Sequence, residues 1–522
     1  MLLTPATLKS PAMVERRKIF GLAGANLIIA GLGVISTMQI AWIYGAGRTS
    51  DIWFAASALQ NSLISLVQTG QLSEMFLPEY IKIKSTHGRT RATECFSAAI
   101  NWMMAFAILM VVLAWAAAPY LVGYIASGFA DSDQSRIAEI FLWLLPLLPL
   151  HVLTGLIQSL GNAEGWFGKF EIPVIAGSLS AIFTVMVLSP SKGVHALVIS
   201  AWVYQMVSIA GRMLMLHKLG YAHRWTLQVS GLSLRPLLTQ IVWTFAYVGV
   251  TQAYLVSFRR ALGFLGEGTL SAYGYAELLY ARTSSLFMRP VATVFYTKVA
   301  EAGARSMDEV KKTVKGALDR YLEMYILILA CLVPGLGDLL MALWGGPRYG
   351  EDMLRLTTLA LLWFFLAQVI QAQSQVQRKL NIALGCFRQQ YQGATLVQLI
   401  CLFAAPWLVS TWQFNGAIAA VLLNTVGFAL AGLLLTWMKF PGLLATFSIK
   451  KFSKGALMIV PGLFLGWLVS GLFASRVHSV DSVIIKKLFA LGNAGVAAGI
   501  SLATLLLMRH ILRQRSSAAG NR

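Results

Sequence analysis

The chain has 522 residues, of which 57% are hydrophobic and only 12% are charged, and its net charge is +21. Soluble proteins carry about 25% charged residues, so a soluble fold of this length could not cover so much apolar surface. The basic residues are spread between apolar stretches, which argues against nucleic-acid binding and is typical of a membrane protein.

Apolar stretches near 20 residues long recur along the whole chain, and each is long enough to cross a bilayer as a helix. Backbone groups inside lipid must be paired within the protein, so uniform apolar stretches predict helices rather than barrel strands. We predict an all-α integral membrane protein with about fourteen transmembrane helices. They fall at residues 19–43, 52–77, 95–117, 136–160, 171–189, 194–216, 236–258, 269–296, 316–344, 354–377, 392–411, 415–437, 455–474 and 487–511.

The Lys and Arg residues alternate between the two sides of these helices. Thirty lie in or beside the two tails and the even-numbered loops, and ten lie in or beside the odd-numbered loops; the other two, Arg282 and Arg289, lie within a helix. Loops rich in Lys and Arg stay in the cytoplasm. We therefore expect a multi-pass protein of the bacterial inner membrane with both termini in the cytoplasm.

A weak internal repeat suggests two halves. The glycine-containing turns at 45–47 and 266–268 precede similar stretches, at an offset of about 221 residues, and 160–162 resembles 384–386 at an offset of 224. Parallel repeats of this kind build transporters with two similar lobes. The predicted domains are an N-lobe at 1–222, a C-lobe at 223–440, and a helix pair with a basic tail at 441–522.

Charged side chains within the eighth predicted helix mark a candidate substrate cavity. An arginine in the middle of a span costs about 2.5–3.5 kcal/mol, so it usually faces a polar space. Arg282, Ser285 and Arg289 share one helical face, and Glu277 lies further outward on the same helix. Such a face suits a phosphate or pyrophosphate. The alternative is that these arginines reach the membrane surface or pair with a carboxylate.

Helices seven, two and ten supply the other candidates. Gln252 shares a face with Arg259 near the end of helix seven, where Arg259 could instead anchor the helix at the interface. Asp51 could cap helix two or pair with Arg48, and capping is favoured. Polar side chains on shared faces either hold helices together or line a wet cavity that binds sugar hydroxyls. They are Asn61, Ser65, Gln68, Gln368 and Gln371.

Several short stretches occur in an order known from one family. These stretches are 44–56, 76–80, 127–131, 170–173, 252–259, 268–276 and 383–385. Each is short, but together they are specific. They resemble the MurJ/MviN-like lipid II flippase family of the multidrug/oligosaccharidyl-lipid/polysaccharide exporter superfamily, of which this chain would be a divergent member.

The resemblance implies a V-shaped pair of six-helix lobes around a cavity that opens alternately to each side. The C-terminal helix pair would form a groove for a lipid tail. The substrate would be a polyprenyl-pyrophosphate-linked glycan that moves from the cytoplasmic to the periplasmic leaflet. Transport in the family is commonly driven by ion gradients or the membrane potential, and glycan-synthesis proteins are possible partners. No cofactor is expected.

The family's charged positions in helices one, two and eight are changed here, and the resemblance retains only the acid at Asp51. The changed positions read Ala30, Ser36, Ile64, Ser65, Thr69, Glu277 and Leu278. Arg282 lies one turn beyond the last of them. These changes favour a lipid-linked oligosaccharide for exopolysaccharide or capsule over the peptidoglycan precursor.

Three other functions remain possible from the residues. A drug or ion antiporter of the same superfamily needs carboxylates deep in the first lobe, where the sequence offers almost none. A glycan polymerase needs catalytic groups on a long outer loop, and the outer loops are short. A non-transporting scaffold is compatible with the lost charges. With no triad order, metal cluster or phosphate loop in the sequence, we predict a transporter rather than an enzyme.

Overall fold

The computed structural model describes most of the chain in ten stretches. They are 11–67, 71–166, 168–227, 234–303, 306–346, 348–443, 460–461, 463–468, 470–471 and 483–520.

Helices make up almost all of the described residues, which confirms the all-α prediction. In chain order they are α1 Pro11–Tyr44, α2 Arg48–Val67, α3 Gln71–Ile125, α4 Asp131–Leu144, α5 Leu147–Ala163, α6 Ile172–Lys192, α7 His195–Lys218, α8 Leu234–Gly263, α9 Thr269–Gly303, α10 Met307–Leu332, α11 Leu336–Trp344, α12 Glu351–Ala383, α13 Phe387–Lys439 and α14 Val483–Gly520. A short 3₁₀ turn, Lys169–Glu171, precedes α6.

Each predicted span except 455–474 has a counterpart among these helices, although several are broken or joined. Within 455–474 the described residues, 460–461, 463–468 and 470–471, are helical, and the others lie outside the described residues. Among the described residues, seven helices are long and apolar enough to cross a membrane, or nine if each of two bent pairs forms one span. Those pairs are α4 with α5, bent by 41°, and α10 with α11, bent by 62°. The structure is consistent with fourteen spans, because α13 contains two predicted spans and α2, α8, α9 and the described residues of 455–474 fall in four more.

The breaks inside α3 and α13 have local causes. Gly88 has φ 83° and ψ 172°, a conformation that suits glycine. Gln413 has φ 53°, which is uncommon for a residue with a side chain. The chain turns so tightly here that an ideal Cβ at Gly416 would lie 1.9 Å from the Leu408 carbonyl oxygen. Each break therefore joins two helical segments without a long loop.

The start of α10 shows how a polar residue sets a helix boundary. Ser306 is extended, and its hydroxyl accepts a hydrogen bond from the Glu309 amide at 3.2 Å. Asp308 and Glu309 add negative charge in the first turn, where the helix dipole favours it. The amphipathic helix therefore begins immediately after Ser306.

The chain forms two compact units. Unit 1 comprises Met1–Ser36, Ala56–Gly123 and Asp131–Ile241, and unit 2 comprises Thr37–Ala55, Tyr124–Ala130 and Val242–Arg522. Each unit has its own apolar core. Large apolar side chains are also exposed, among them Trp115, Phe183 and Phe403. Exposed apolar side chains on long helices are what a lipid-facing surface requires.

Candidate functional site

Two of the predicted site residues form an ion pair in unit 2. The Arg259 guanidinium on α8 donates to the Glu277 carboxylate on α9, with an Nη2–Oε2 distance of 2.7 Å. The Arg259 side chain is 16% exposed and that of Glu277 is 36% exposed. The Phe258 ring packs on Tyr273 beside the pair. The pair is thus partly accessible, and an anionic ligand could compete with Glu277 for Arg259.

The two glutamines of α12 both contact α9. Gln368 is buried, and its Nε2 donates to the Ser284 hydroxyl at 2.7 Å. Gln371 is half-buried and accepts a hydrogen bond from the Tyr280 hydroxyl. These contacts fit the interpretation in which the amides hold helices together. They also show that one face of α9 is packed on α12.

Arg282 lies on α9 between these contacts in sequence, and its side chain is exposed. Gln252 on α8 is half-buried. Ser285 and Arg289 belong to α9, but their side chains lie outside the described ones. Arg282 is therefore exposed on the surface of unit 2, and its contact with substrate stays a prediction.

The candidates on α2 lie in unit 1. Asn61 is exposed and Ser65 is half-buried, while Gln68 lies outside the described residues. Sequence reasoning missed their neighbour Gln60, which is buried and donates to the Leu144 carbonyl at 3.1 Å. That carbonyl is at the break between α4 and α5, so the amide satisfies a backbone group that the bend leaves unpaired.

Asp51 caps a helix, but it is not the helix that the sequence predicts. Its carboxylate accepts hydrogen bonds from the Gly268 amide at 2.7 Å and the Ser271 amide at 2.8 Å. The prediction that it caps α2 is therefore wrong, because these amides belong to the start of α9. Asp51 is 1% exposed. Helix amides at the positive end of the dipole stabilise its buried charge.

The start of α2 is capped in turn by Glu267, which lies just before α9. The Arg48 amide, the first in α2, donates to Glu267 Oε1 at 2.9 Å. Gly268 has φ +83°, and an ideal Cβ there would lie 2.8 Å from the Ala46 carbonyl oxygen. The two glycine-containing turns noted in the sequence are thus in contact. We call the contact formed by Arg48, Asp51, Glu267, Gly268 and Ser271 the α2–α9 contact.

The turn before α2 is held by several further hydrogen bonds. The Gly45 carbonyl accepts from the Ser50 hydroxyl at 2.7 Å and from the Tyr275 hydroxyl at 2.9 Å. Gly45 has φ +68°, and an ideal Cβ there would lie 1.9 Å from the Arg348 carbonyl oxygen. Only glycine fits this position, which explains the glycine in the motif.

A second set of contacts joins the end of α3 to α8. Arg260 Nε donates to the Ser127 hydroxyl at 2.8 Å, and its guanidinium lies 4.6 Å from the centre of the Tyr124 ring. The Tyr124 and Ser257 hydroxyls are 2.6 Å apart. These residues account for part of the 127–131 and 252–259 motifs. They also explain why the segment Tyr124–Ala130, at the end of α3, belongs to unit 2.

Unit 1 contains a buried arginine that sequence reasoning missed. Arg212 on α7 is 8% exposed and donates to the Thr154 carbonyl at 3.0 Å, the Phe170 carbonyl at 3.3 Å and Gln158 Oε1 at 2.8 Å. Gln158 in turn donates to Glu171 at 2.9 Å. The available signal was the position of this arginine inside the sixth predicted span.

Glu164 follows α5 and binds the start of α3. Its carboxylate accepts from the Tyr80 hydroxyl at 2.6 Å and from Lys84 Nζ at 2.9 Å. Burial acts to raise the pKa of Glu164, but these hydrogen bonds and the charges of Lys84 and Arg89 outweigh it and lower the pKa. The carboxylate is therefore held ionised at neutral pH.

These observations define a multi-span, all-helical membrane protein with charged and amide side chains buried between its helices, an arrangement typical of transporters. Among the described residues, no group of three or more His, Cys, Asp and Glu side chains could hold a metal ion. The chain belongs to the lipid II flippase MurJ family, whose model matches residues 40–370. The family consists of flippases rather than enzymes, and the predicted family is confirmed.

Similarity to individual relatives is low. A probable lipid II flippase MurJ of Buchnera aphidicola subsp. Acyrthosiphon pisum is 22% identical over 284 residues, which are 53% of this chain and 55% of that protein. The Haemophilus influenzae counterpart is 20% identical over 308 residues, covering 55% and 59%. The chain therefore aligns with little more than half the length of these curated relatives.

Solved structures show the same fold over more of the chain. A lipid II flippase MurJ in an inward closed conformation has a TM-score of 0.72 at 17% identity and covers 95% of this chain and 99% of that one. An inward-facing multidrug MATE transporter of the MOP superfamily has a TM-score of 0.64 at 13% identity, covering 82% and 100%. The superfamily fold predicted from the sequence is thereby confirmed.

Proposed function

We propose that this protein moves a polyprenyl-pyrophosphate-linked oligosaccharide from the cytoplasmic to the periplasmic leaflet by alternating access. Membership of the lipid II flippase MurJ family supports a lipid-linked glycan as the substrate class. The single observation that carries the proposal is the Arg259–Glu277 pair, and the exposed Arg282 lies five residues after Glu277 on α9.

A pyrophosphate could bind here by exchange of partners. Arg259 has one carboxylate partner at 2.7 Å, and that partner is partly exposed. A guanidinium binds phosphate oxygens in the same two-pronged geometry that it uses for a carboxylate. Binding would therefore replace Glu277 with a ligand oxygen, and Arg282 would supply a second positive charge.

The α2–α9 contact supplies a gate for alternating access. Asp51 is 217 residues from Gly268 in sequence, yet its carboxylate lies on the Gly268 amide. Separating the two helix starts would leave buried amides and a carboxylate without partners, so opening requires water to enter. The contact would therefore stay closed until substrate binding compensates for its loss.

The altered family positions support a glycan other than the peptidoglycan precursor. Ala30 is 4% exposed and occupies a position where the resemblance implies an arginine. Ile64 and Ser65 are half-buried and uncharged. A head group bound there would meet fewer cations, which favours an exopolysaccharide or capsule repeat unit.

The proposal also includes a membrane location, an energy source and partner proteins. The protein would lie in the bacterial inner membrane with both termini in the cytoplasm, as the Lys and Arg counts favour. The membrane potential or an ion gradient would drive transport without a cofactor. Glycan-synthesis proteins would supply the substrate on one side and consume it on the other.

The test is translocation in vesicles that contain the full chain. Lipid II and a lipid-linked exopolysaccharide repeat unit would be offered separately, with leaflet position measured by accessibility to a membrane-impermeant reagent. We expect faster movement of the repeat unit, and a rate about tenfold lower in Arg282→Ala, because one charge-assisted contact is worth about 1.4 kcal/mol. The matched control is Arg136→Ala, which removes an exposed arginine from α4.

Three results bear on the alternatives. Equal slowing of transport by Arg282→Ala and Arg136→Ala would show that Arg282 on α9 has no specific role in transport. Movement of neither glycan, with folding verified, would overturn the flippase proposal. Proton- or sodium-coupled export of a small organic cation by the same vesicles would favour the antiporter.

A further inference from the structure

A small cavity lies in unit 2 where the end of α1, the α11–α12 loop and the start of α14 meet. Its volume is about 400 Å³, and Trp42, Trp344, Arg348, Tyr349 and Lys487 form much of its wall. The Lys and Arg counts place this end of the helices on the outer side of the membrane. Neither Arg259 nor Glu277 is among the residues that line this cavity.

The charge at the cavity is positive. Arg348 comes from the α11–α12 loop and Lys487 from α14, and the described residues of the wall include no carboxylate. Nearby Glu351 lies 3.9 Å from Lys486, the residue before Lys487. Two cations from separate elements thus converge on one space, an arrangement that attracts an anion.

The wall also offers hydrogen-bond donors. Arg348 uses one Nη for the Ile43 carbonyl, at 2.7 Å, and a guanidinium carries five N–H groups in all. Trp344 is 1% exposed, and no described residue accepts a hydrogen bond from its indole N–H. Because the protein encloses the Trp344 N–H, the donors that a ligand could use here are the remaining N–H groups of Arg348 and those of Lys487.

The position of the cavity points to a membrane ligand. Trp42 is 67% exposed near the end of α1, and both α1 and α14 contain candidate membrane spans. Exposed tryptophan at the end of a span is typical of the level of lipid head groups. A guanidinium and an ammonium group at this level can bind the phosphate of a lipid head group.

We propose that this cavity binds the phosphate group of a lipid head group, held by Arg348 and Lys487. The volume admits a phosphate with a small substituent, and the lipid chains would lie along the exposed apolar surface of α14. Inorganic phosphate has the same chemistry and is the alternative source. The site does not depend on which glycan the protein carries.

Binding would also act on the turn before α2. Arg348 donates to the Ile43 carbonyl, and its own carbonyl lies against Gly45. A phosphate that fixes Arg348 would therefore stabilise this turn and, through it, the start of α2. The lipid would act on the conformation of the protein rather than serve as its cargo.

The test measures binding of single lipids to the full chain by native mass spectrometry in a neutral detergent. The probes are phosphatidylglycerol, diacylglycerol with the same chains, and inorganic phosphate as a competitor. We expect Lys487→Gln to weaken phosphatidylglycerol binding about tenfold, because a charge-assisted contact is lost. The matched control Lys486→Gln removes the neighbouring charge and should change the dissociation constant less than about twofold.

The remaining outcomes separate the sources. Competition by inorganic phosphate would show that the phosphate alone suffices, and lack of competition would show that the lipid chains contribute; both support the site. Equal weakening by the two lysine variants, or equal binding of diacylglycerol and phosphatidylglycerol, would overturn it. If thermal unfolding shows that Lys487→Gln is not folded, Arg348→Gln is used in its place. The same loss of phosphatidylglycerol binding is expected.

Discussion

Two buried or nearly buried arginines on consecutive helices are stabilised in different ways. Arg212 in unit 1 donates to two backbone carbonyls and one amide oxygen, and it is 8% exposed. Arg259 in unit 2 donates to the Glu277 carboxylate, which is 36% exposed on its side chain. The first cation is enclosed by the main chain, and the second is paired with a side chain that can move.

The difference separates a structural role from a binding role. Backbone carbonyls of α5 and the turn before α6 cannot leave Arg212 without local unfolding, so no ligand can replace them. A side-chain partner can rotate away, which lets Arg259 accept a phosphate oxygen. We therefore expect changes at Arg212 to affect stability first and changes at Arg259 to affect transport first.

The largest effect should follow from Arg212→Ala. The change leaves the Thr154 and Phe170 carbonyls and the Gln158 amide without their donor, which should destabilise the protein by about 3 kcal/mol. Thermal unfolding in detergent measures the loss. Lys218→Ala, on the exposed last turn of the same helix, is the control. An unchanged unfolding temperature for Arg212→Ala would contradict the structural role.

A smaller effect is expected at Asp51, a buried anion that, like Arg212, is stabilised by backbone groups. Asp51→Ala removes the cap from α9 and leaves two buried amides unpaired, a loss of about 2 kcal/mol. Hydrogen exchange at Gly268 and Ser271 should become faster. Asp131→Ala tests an exposed acid in the first turn of α4 and should leave exchange at α9 unchanged. Unchanged exchange in Asp51→Ala would mean that the α2–α9 contact does not depend on this carboxylate.

The smallest effect on stability should come from the Arg259–Glu277 pair. Its partners are partly exposed, so a double-mutant cycle with Arg259→Gln and Glu277→Gln should give a coupling of about 1 kcal/mol. Glycan translocation should fall more in Arg259→Gln than in Glu277→Gln, because only the arginine binds phosphate. Equal losses of transport in Arg259→Gln and Glu277→Gln would contradict a binding role for Arg259 and remove its distinction from Arg212.

Part of the candidate site followed from the sequence. Arg259, Glu277, Gln368 and Gln371 were selected because polar groups inside a span need partners, and the structure gives each a partner. Arg212 lies inside the sixth predicted span and satisfied the same criterion, but its carbonyl partners at Thr154 and Phe170 could not be identified from the sequence.

The sequence determined the helical class, the approximate number and position of the spans, and the family. These depend on hydropathy, on the placement of basic residues and on short motifs, all of which are local in the chain. Only the tertiary structure decided which groups meet, such as Asp51 with amides 217 and 220 residues away. A carboxylate can cap any helix start within reach, and packing alone sets which start that is.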